Sequence, residues 1–159
     1  MKAEEICREL DRLEKDDTPF ETLLETGVDL LHASDERFHW TGLYELFHDN
    51  VLRLGPYVGD ATSPETLGVG RTLRGAAIAG RRSIVVNDIL RLSGDEAGFG
   101  PGARLMVPIR TPDEIFGEIE VESFLPEAFD EEGLRAVEAV ADRLAAMFGR
   151  ERKLVLAGV

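Results

Sequence analysis

Apolar residues recur along this chain with two different periods, and the changes between them mark out its elements. Over residues 3–15, Ile6, Leu10 and Leu13 are spaced to give one narrow stripe of a helix. Asp16-Asp17-Thr18-Pro19 ends it. Thr18 is placed to cap a second helix, with Pro19 at its first position and Glu21 three residues past the cap. That helix is expected to reach about Ala33, burying Leu23, Leu24, Gly27, Leu30 and Leu31. The period then drops to two. Residues 38–47 read as a strand, His48-Asp49-Asn50 as a turn and residues 51–58 as the returning strand, bent or at an edge where Gly55-Pro56 interrupts it. Residues 59–75 are expected to form a glycine-rich loop, 75–79 a short helix, and 83–86 a short strand ending at Asn87-Asp88. Residues 93–102 hold four glycines and a proline and read as a long loop of the kind that covers a site.

The most informative stretch is 103–123, which reads as two strands joined by a turn at residues 111–114. The first strand is apolar on both faces, as in a sheet covered on both sides. In the second, Glu118, Glu120 and Glu122 alternate with Ile119 and Val121. Side chains alternate faces along a strand, so the carboxylates share one face. They either face solvent or line a polar pocket under a cover. Asp130 then caps a final helix to about Phe148, with Glu131 and Glu132 in its first turn and Leu134, Val137, Ala141, Leu144 and Ala145 as its stripe. The order predicts an α+β fold: an antiparallel sheet sandwiched between terminal helices and a crossover helix with loops. The expected divisions are an N-terminal helix (1–18), one domain (19–148) and a tail (149–159).

Composition narrows the function classes. At 159 residues the chain fits one domain, and no apolar run approaches the roughly 18 residues a membrane helix needs. Its first ten residues are acidic and helical in pattern rather than a secretory signal, so a cytoplasmic location is the default expectation. The net charge of −13 argues against nucleic-acid partners. The charge is uneven: residues 1–36 carry a net −8, whereas 71–110 carry seven arginines against Asp88, Asp95 and Glu96, a net +4. That basic middle points either to an anionic small molecule or to surface arginines balancing acidic helices. Cys7 is the only cysteine, which excludes an internal disulfide, a multi-thiolate metal site and an intrachain dithiol cycle. His32, His39 and His48 show no metal-ligand spacing, and neither a metal nor a cofactor is implied.

The segments Trp40-Thr-Gly-Leu-Tyr44, Leu52-Arg-Leu-Gly-Pro-Tyr57, Ile84-Val-Val-Asn-Asp88, Leu105-Met-Val-Pro108 and Gly117-Glu-Ile-Glu-Val-Glu-Ser123, with Gly75 opening the crossover helix, resemble in order and spacing those of the GAF domain family, from about Phe20 to Phe148. Within it the chain is most similar to the free methionine-R-sulfoxide reductases. The resemblance implies a ligand pocket in which Trp40 and Tyr44 stack on a ligand and Glu120 and Glu122 hold an ammonium group. It also places the reductase's cysteine positions on Pro64, Arg74 and Ala97, and a further pocket glutamate on Arg104. Thiolate attack on a sulfoxide cannot be run by those residues, so no catalytic residue is assigned.

The candidate ligand-binding residues are therefore Trp40, Tyr44, Arg74, Asp88, Arg104, Glu120 and Glu122. Each has an ordinary structural alternative. Trp40 and Tyr44 can be core aromatics, and Asp88 can cap a following helix. Arg74 and Arg104 either read an anionic or zwitterionic ligand or neutralise Glu120 and Glu122 internally. The expected function is a stand-alone, non-catalytic small-molecule-binding or sensory module. The alternatives are a divergent free methionine-R-sulfoxide reductase and a dimeric scaffold with a plugged pocket. By resemblance the terminal helices form a homodimer; otherwise both stripes pack on their own sheet.

Overall fold

The computed structural model describes residues 1–59, 66–69, 73–88 and 102–158, with backbone alone at 73 and 74. Helices α1 (Ala3–Lys15) and α2 (Phe20–Ala33) open the chain, followed by strands β1 (Trp40–Leu46), β2 (Val51–Gly59) and β3 (Thr66–Gly68). Helix α3 (Leu73–Gly80), strand β4 (Ile84–Val86), the hairpin β5 (Ala103–Arg110) and β6 (Ile115–Ser123), and helix α4 (Glu131–Leu156) complete it. The strands form one antiparallel sheet in the order β3-β2-β1-β6-β5-β4. The α+β sandwich expected from the hydrophobic pattern is the fold observed.

Two cores lie on opposite faces of this sheet. On one face α2 packs on β1 and β2 and α4 packs on β5 and β6, with α1 outside them against α2 and α4. Leu10, Leu31, Leu43, Ile119, Val121 and Leu144 are central to that core. On the other face α3 lies over the sheet, and Trp40, Tyr44, Leu52, Leu67 and Ile78 form a smaller cluster. The stripe of α1 thus buries Ile6, Cys7 and Leu10 against neighbouring helices rather than against the sheet.

Local chemistry corrects three expectations. Thr18 does not cap α2: its N–H donates to Leu13 O at 3.1 Å, while the N–H of Asp17, left-handed at φ 58°, donates to Glu14 O. That pairing closes α1 in a Schellman turn, and Pro19 takes the N-cap place of α2 with no side-chain cap. Part of the expected loop 59–75 is the strand β3, paired with Val51, Leu52 and Arg53. The last helix runs to Leu156, not to about Phe148. Phe148 stacks on Phe116 and meets Phe20 edge-on, and beyond it Arg150 pairs with Glu14 and Arg152 with Glu114, so the helix keeps partners past the point where the apolar stripe ends. The expected loop at 93–102 falls, but for Gly102, outside the described residues. The Asp130 cap is as read, accepting from Gly133 N–H at 2.8 Å. The Gly55-Pro56 interruption sits at a register shift between Gly42 and Tyr44 of β1, a bulge opposite Leu43.

Candidate functional site

The alternating acids of β6 face α3, and the sheet register puts them in the middle of a three-strand grid. Trp40, Gly42 and Tyr44 of β1 pair with Glu122, Glu120 and Glu118. Across β6, those same glutamates pair with Arg104, Met106 and Pro108 of β5. Directly paired residues of antiparallel strands share a face, so nine residues tile one patch. The side chains of Trp40, Tyr44, Arg104, Met106, Glu118 and Glu120 are 0% exposed and that of Glu122 is 1% exposed. The solvent-facing alternative for the acids is overturned.

Burial without compensation would be costly for any of these carboxylates. Arg104 supplies part of the compensation: its Nε lies 3.1 Å from Oε1 of Glu120 and 3.1 Å from Oε1 of Glu122. Internal neutralisation of that acid pair, one of the two roles open to Arg104 from sequence, is therefore present. With Glu118 the four groups bring three formal negative charges and one positive to the patch.

Trp40 has a different environment. A Cβ on Gly42 would stand 2.3 Å from its Cη2, so the indole lies flat over a position only glycine leaves open. The ring sits 6.1 Å from Tyr57 in a stacked arrangement and 6.4 Å from Tyr44. Its Nε1 is buried, and no acceptor reaches it among the described residues. Buried N–H groups are almost always satisfied in folded proteins, so this donor calls for an acceptor.

The structure thus gathers Trp40, Tyr44, Arg104, Glu120 and Glu122 from the sequence-derived set. Asp88 is half-buried at the β4 edge, two residues beyond Val86, which pairs with Arg104; its expected helix-capping partner segment lies outside the described residues. Arg74 is in α3, with its side chain outside the description, as are Pro64 and Ala97. Sequence reasoning left out Glu118, although its place in the alternation was the available signal. Met106 and Tyr57 lie in segments that carry the family resemblance, but their place at the patch depends on register.

Cys7 is on the far side of the sheet, in the helical core, where its Sγ donates to Ala139 O at 3.6 Å. Burial pushes its thiol up from the ordinary value, with Arg143 opposing. Among the described residues no cluster of His, Cys, Asp and Glu has metal-holding geometry. A cleft of about 790 Å³ lies elsewhere, at the starts of α1 and α4, and its Arg37 is already held by Asp35 and Asp130. No described helix is long and apolar enough to cross a membrane.

A search of curated proteins finds no match. Among solved structures, free methionine-R-sulfoxide reductase from Neisseria meningitidis, in complex with its substrate, is similar with a TM-score of 0.82 at 21% identity, covering 95% of this chain and 90% of that one. The reduced Staphylococcus aureus enzyme gives 0.78 at 23% identity, covering 91% and 93%. A protein from Burkholderia vietnamiensis described as a GAF sensor gives 0.76 at 22%, covering 90% of each chain. At such identities the likeness is one of fold. The sequence profile of the GAF domain matches residues 20–147, most of the chain and the whole of the sheet just described, and this chain therefore belongs to the GAF domain family.

Proposed function

We propose that this protein is a GAF-type sensory module that binds a small anionic or zwitterionic molecule on the α3 face of its sheet, without catalysis of its own. The observation that carries this reading is the buried indole N–H of Trp40, which meets no acceptor among the described residues and stands in a patch of buried polar groups. A ligand oxygen is a natural partner for it, and the stacked rings of Trp40 and Tyr57 offer a flat apolar wall. Output is a ligand-dependent change in the order of the cover or in helix packing, in proportion to the ligand's differential affinity for the two states. A homodimer through the terminal helices would use their outward faces, because the stripe of α1 is already buried within the chain.

The reductase reading has fold neighbours in its favour. Against it stands the position of the single thiol, buried across the sheet from the patch and hydrogen-bonded to a backbone carbonyl. An assay with free methionine-R-sulfoxide coupled to thioredoxin is expected to show no turnover; turnover would contradict the non-catalytic reading, and turnover surviving Cys7→Ser would point to chemistry without that thiol. Because Trp40 is the only tryptophan, its emission reports directly on the patch. Titration with amino acids, dicarboxylates and nucleotides should give a saturable change for at least one of them. A flat response to all three classes would overturn the ligand reading and favour the plugged scaffold.

A further inference from the structure

Two carboxylates two positions apart on one strand face form a seat for a single cation, and in this protein the seat is filled from within. Arg104 is the register partner of Glu122, and its Nε sits 3.1 Å from one oxygen each of Glu122 and Glu120. All three side chains are buried. Arg104 is fixed on β5 between β4 and β6, opposite Val86 on one side and Glu122 on the other. Its guanidinium is therefore tethered, and a diffusing ammonium must compete with an intramolecular partner of high effective concentration. An incoming cation also meets the like charge of Arg104 itself, a repulsive element of the sort that gives specificity.

We propose that Arg104 is the specificity-determining residue of the patch: it occupies the Glu120–Glu122 seat and turns the site against ligands that bind through an ammonium or guanidinium group. This proposal rests on the reading of the α3 face as a ligand site, and it narrows the binding mode to one in which an anionic group of the ligand offers an acceptor to Trp40 Nε1. A zwitterion then binds through its anionic end, with its ammonium outside this seat.

Removal of Arg104 should take its guanidinium out of the seat and let an external cation bind there. The test is thermal unfolding of Arg104→Ala in N-methylguanidinium chloride against equal sodium chloride. The variant is expected to melt below the wild type and to gain a saturable rise of about 3–6 °C at about tenfold excess over Kd. The wild type should respond equally to both salts. No cation-specific rise in the variant, or the same rise in the wild type, overturns the proposal. Should Arg104→Ala not fold, the wild type decides: its Trp40 emission should not respond to ethylammonium or N-methylguanidinium, and a saturable response overturns the proposal. A failed rescue in a protein that still binds an anionic probe removes the role of Arg104 and leaves the ligand site standing. Loss of every ligand response removes the site.

Discussion

At the scale of single residues, this protein concentrates its departures from ordinary packing on one patch. Gly42 is the position where this can be read most directly. Gly42→Ala would drive a methyl group into the Trp40 ring, whose Cη2 lies 2.3 Å from the position of that Cβ. The expected result is a destabilisation of about 1–3 kcal/mol by denaturant unfolding, with a shift of tryptophan emission. A neutral effect on both would mean the indole does not lie over Gly42. On the opposite face, His32 lies 3.1 Å from Thr41 Oγ1, its Nδ1 nearest. Burial holds its pKa below the usual 6.5, with Asp29 opposing and His39 adding to the decrease. The unfolded chain then takes up this proton more readily than the folded one. The stability contribution is complete above about 6.5 and is lost as pH falls through the lower folded value. His32→Gln should flatten that part of the stability–pH profile, measured as urea midpoints between pH 7 and 5; an unchanged slope would contradict the assignment.

Among the elements, the helix ends separate what sequence can show from what it cannot. Asp130 was legible because a capping side chain acts on its own next turn, and it accepts from Gly133 N–H as expected. Asp130→Ala should cost about 1 kcal/mol in chemical unfolding; a loss of a few tenths only would mean that the cap is dispensable. The Thr18 hydroxyl suits a cap for α2, but the Thr18 N–H is engaged in closing α1. The end of α4 differs for another reason: the apolar stripe stops near Phe148, yet the space around Gly149 is open and the helix continues, with Arg150 on Glu14 and Arg152 on Glu114. These pairs are exposed, and such pairs contribute little. Leu154, Val155 and Leu156 are 48%, 66% and 83% exposed. Removal of residues 154–159 should therefore change the unfolding free energy by no more than about 0.5 kcal/mol. A larger loss would show that the terminal turn contributes packing to the fold.

For the molecule as a whole, the central feature is a sheet with two unlike faces, one closed by three helices and one holding the buried polar patch. The period-two alternation of Glu118, Glu120 and Glu122 announced the second face, and the family resemblance located Trp40 and Tyr44 beside it. Which way the alternation pointed was not legible, because a strand with acids on one face suits solvent as well as a covered site. The pairing of Arg104 with the acids depends on the β5–β6 register, a long-range property that no local pattern carries. The same applies to the separation of Cys7 from the patch: its helical position was evident, but only packing puts the sheet between it and Trp40. The α3 face is thus the place where a small molecule is expected to be held. Native mass spectrometry of the protein after incubation with a cellular small-molecule extract tests this most directly. A non-covalent mass excess on the wild type, diminished in Trp40→Phe, is the predicted result. The apoprotein mass alone, or an excess of equal size in Trp40→Phe, would contradict it.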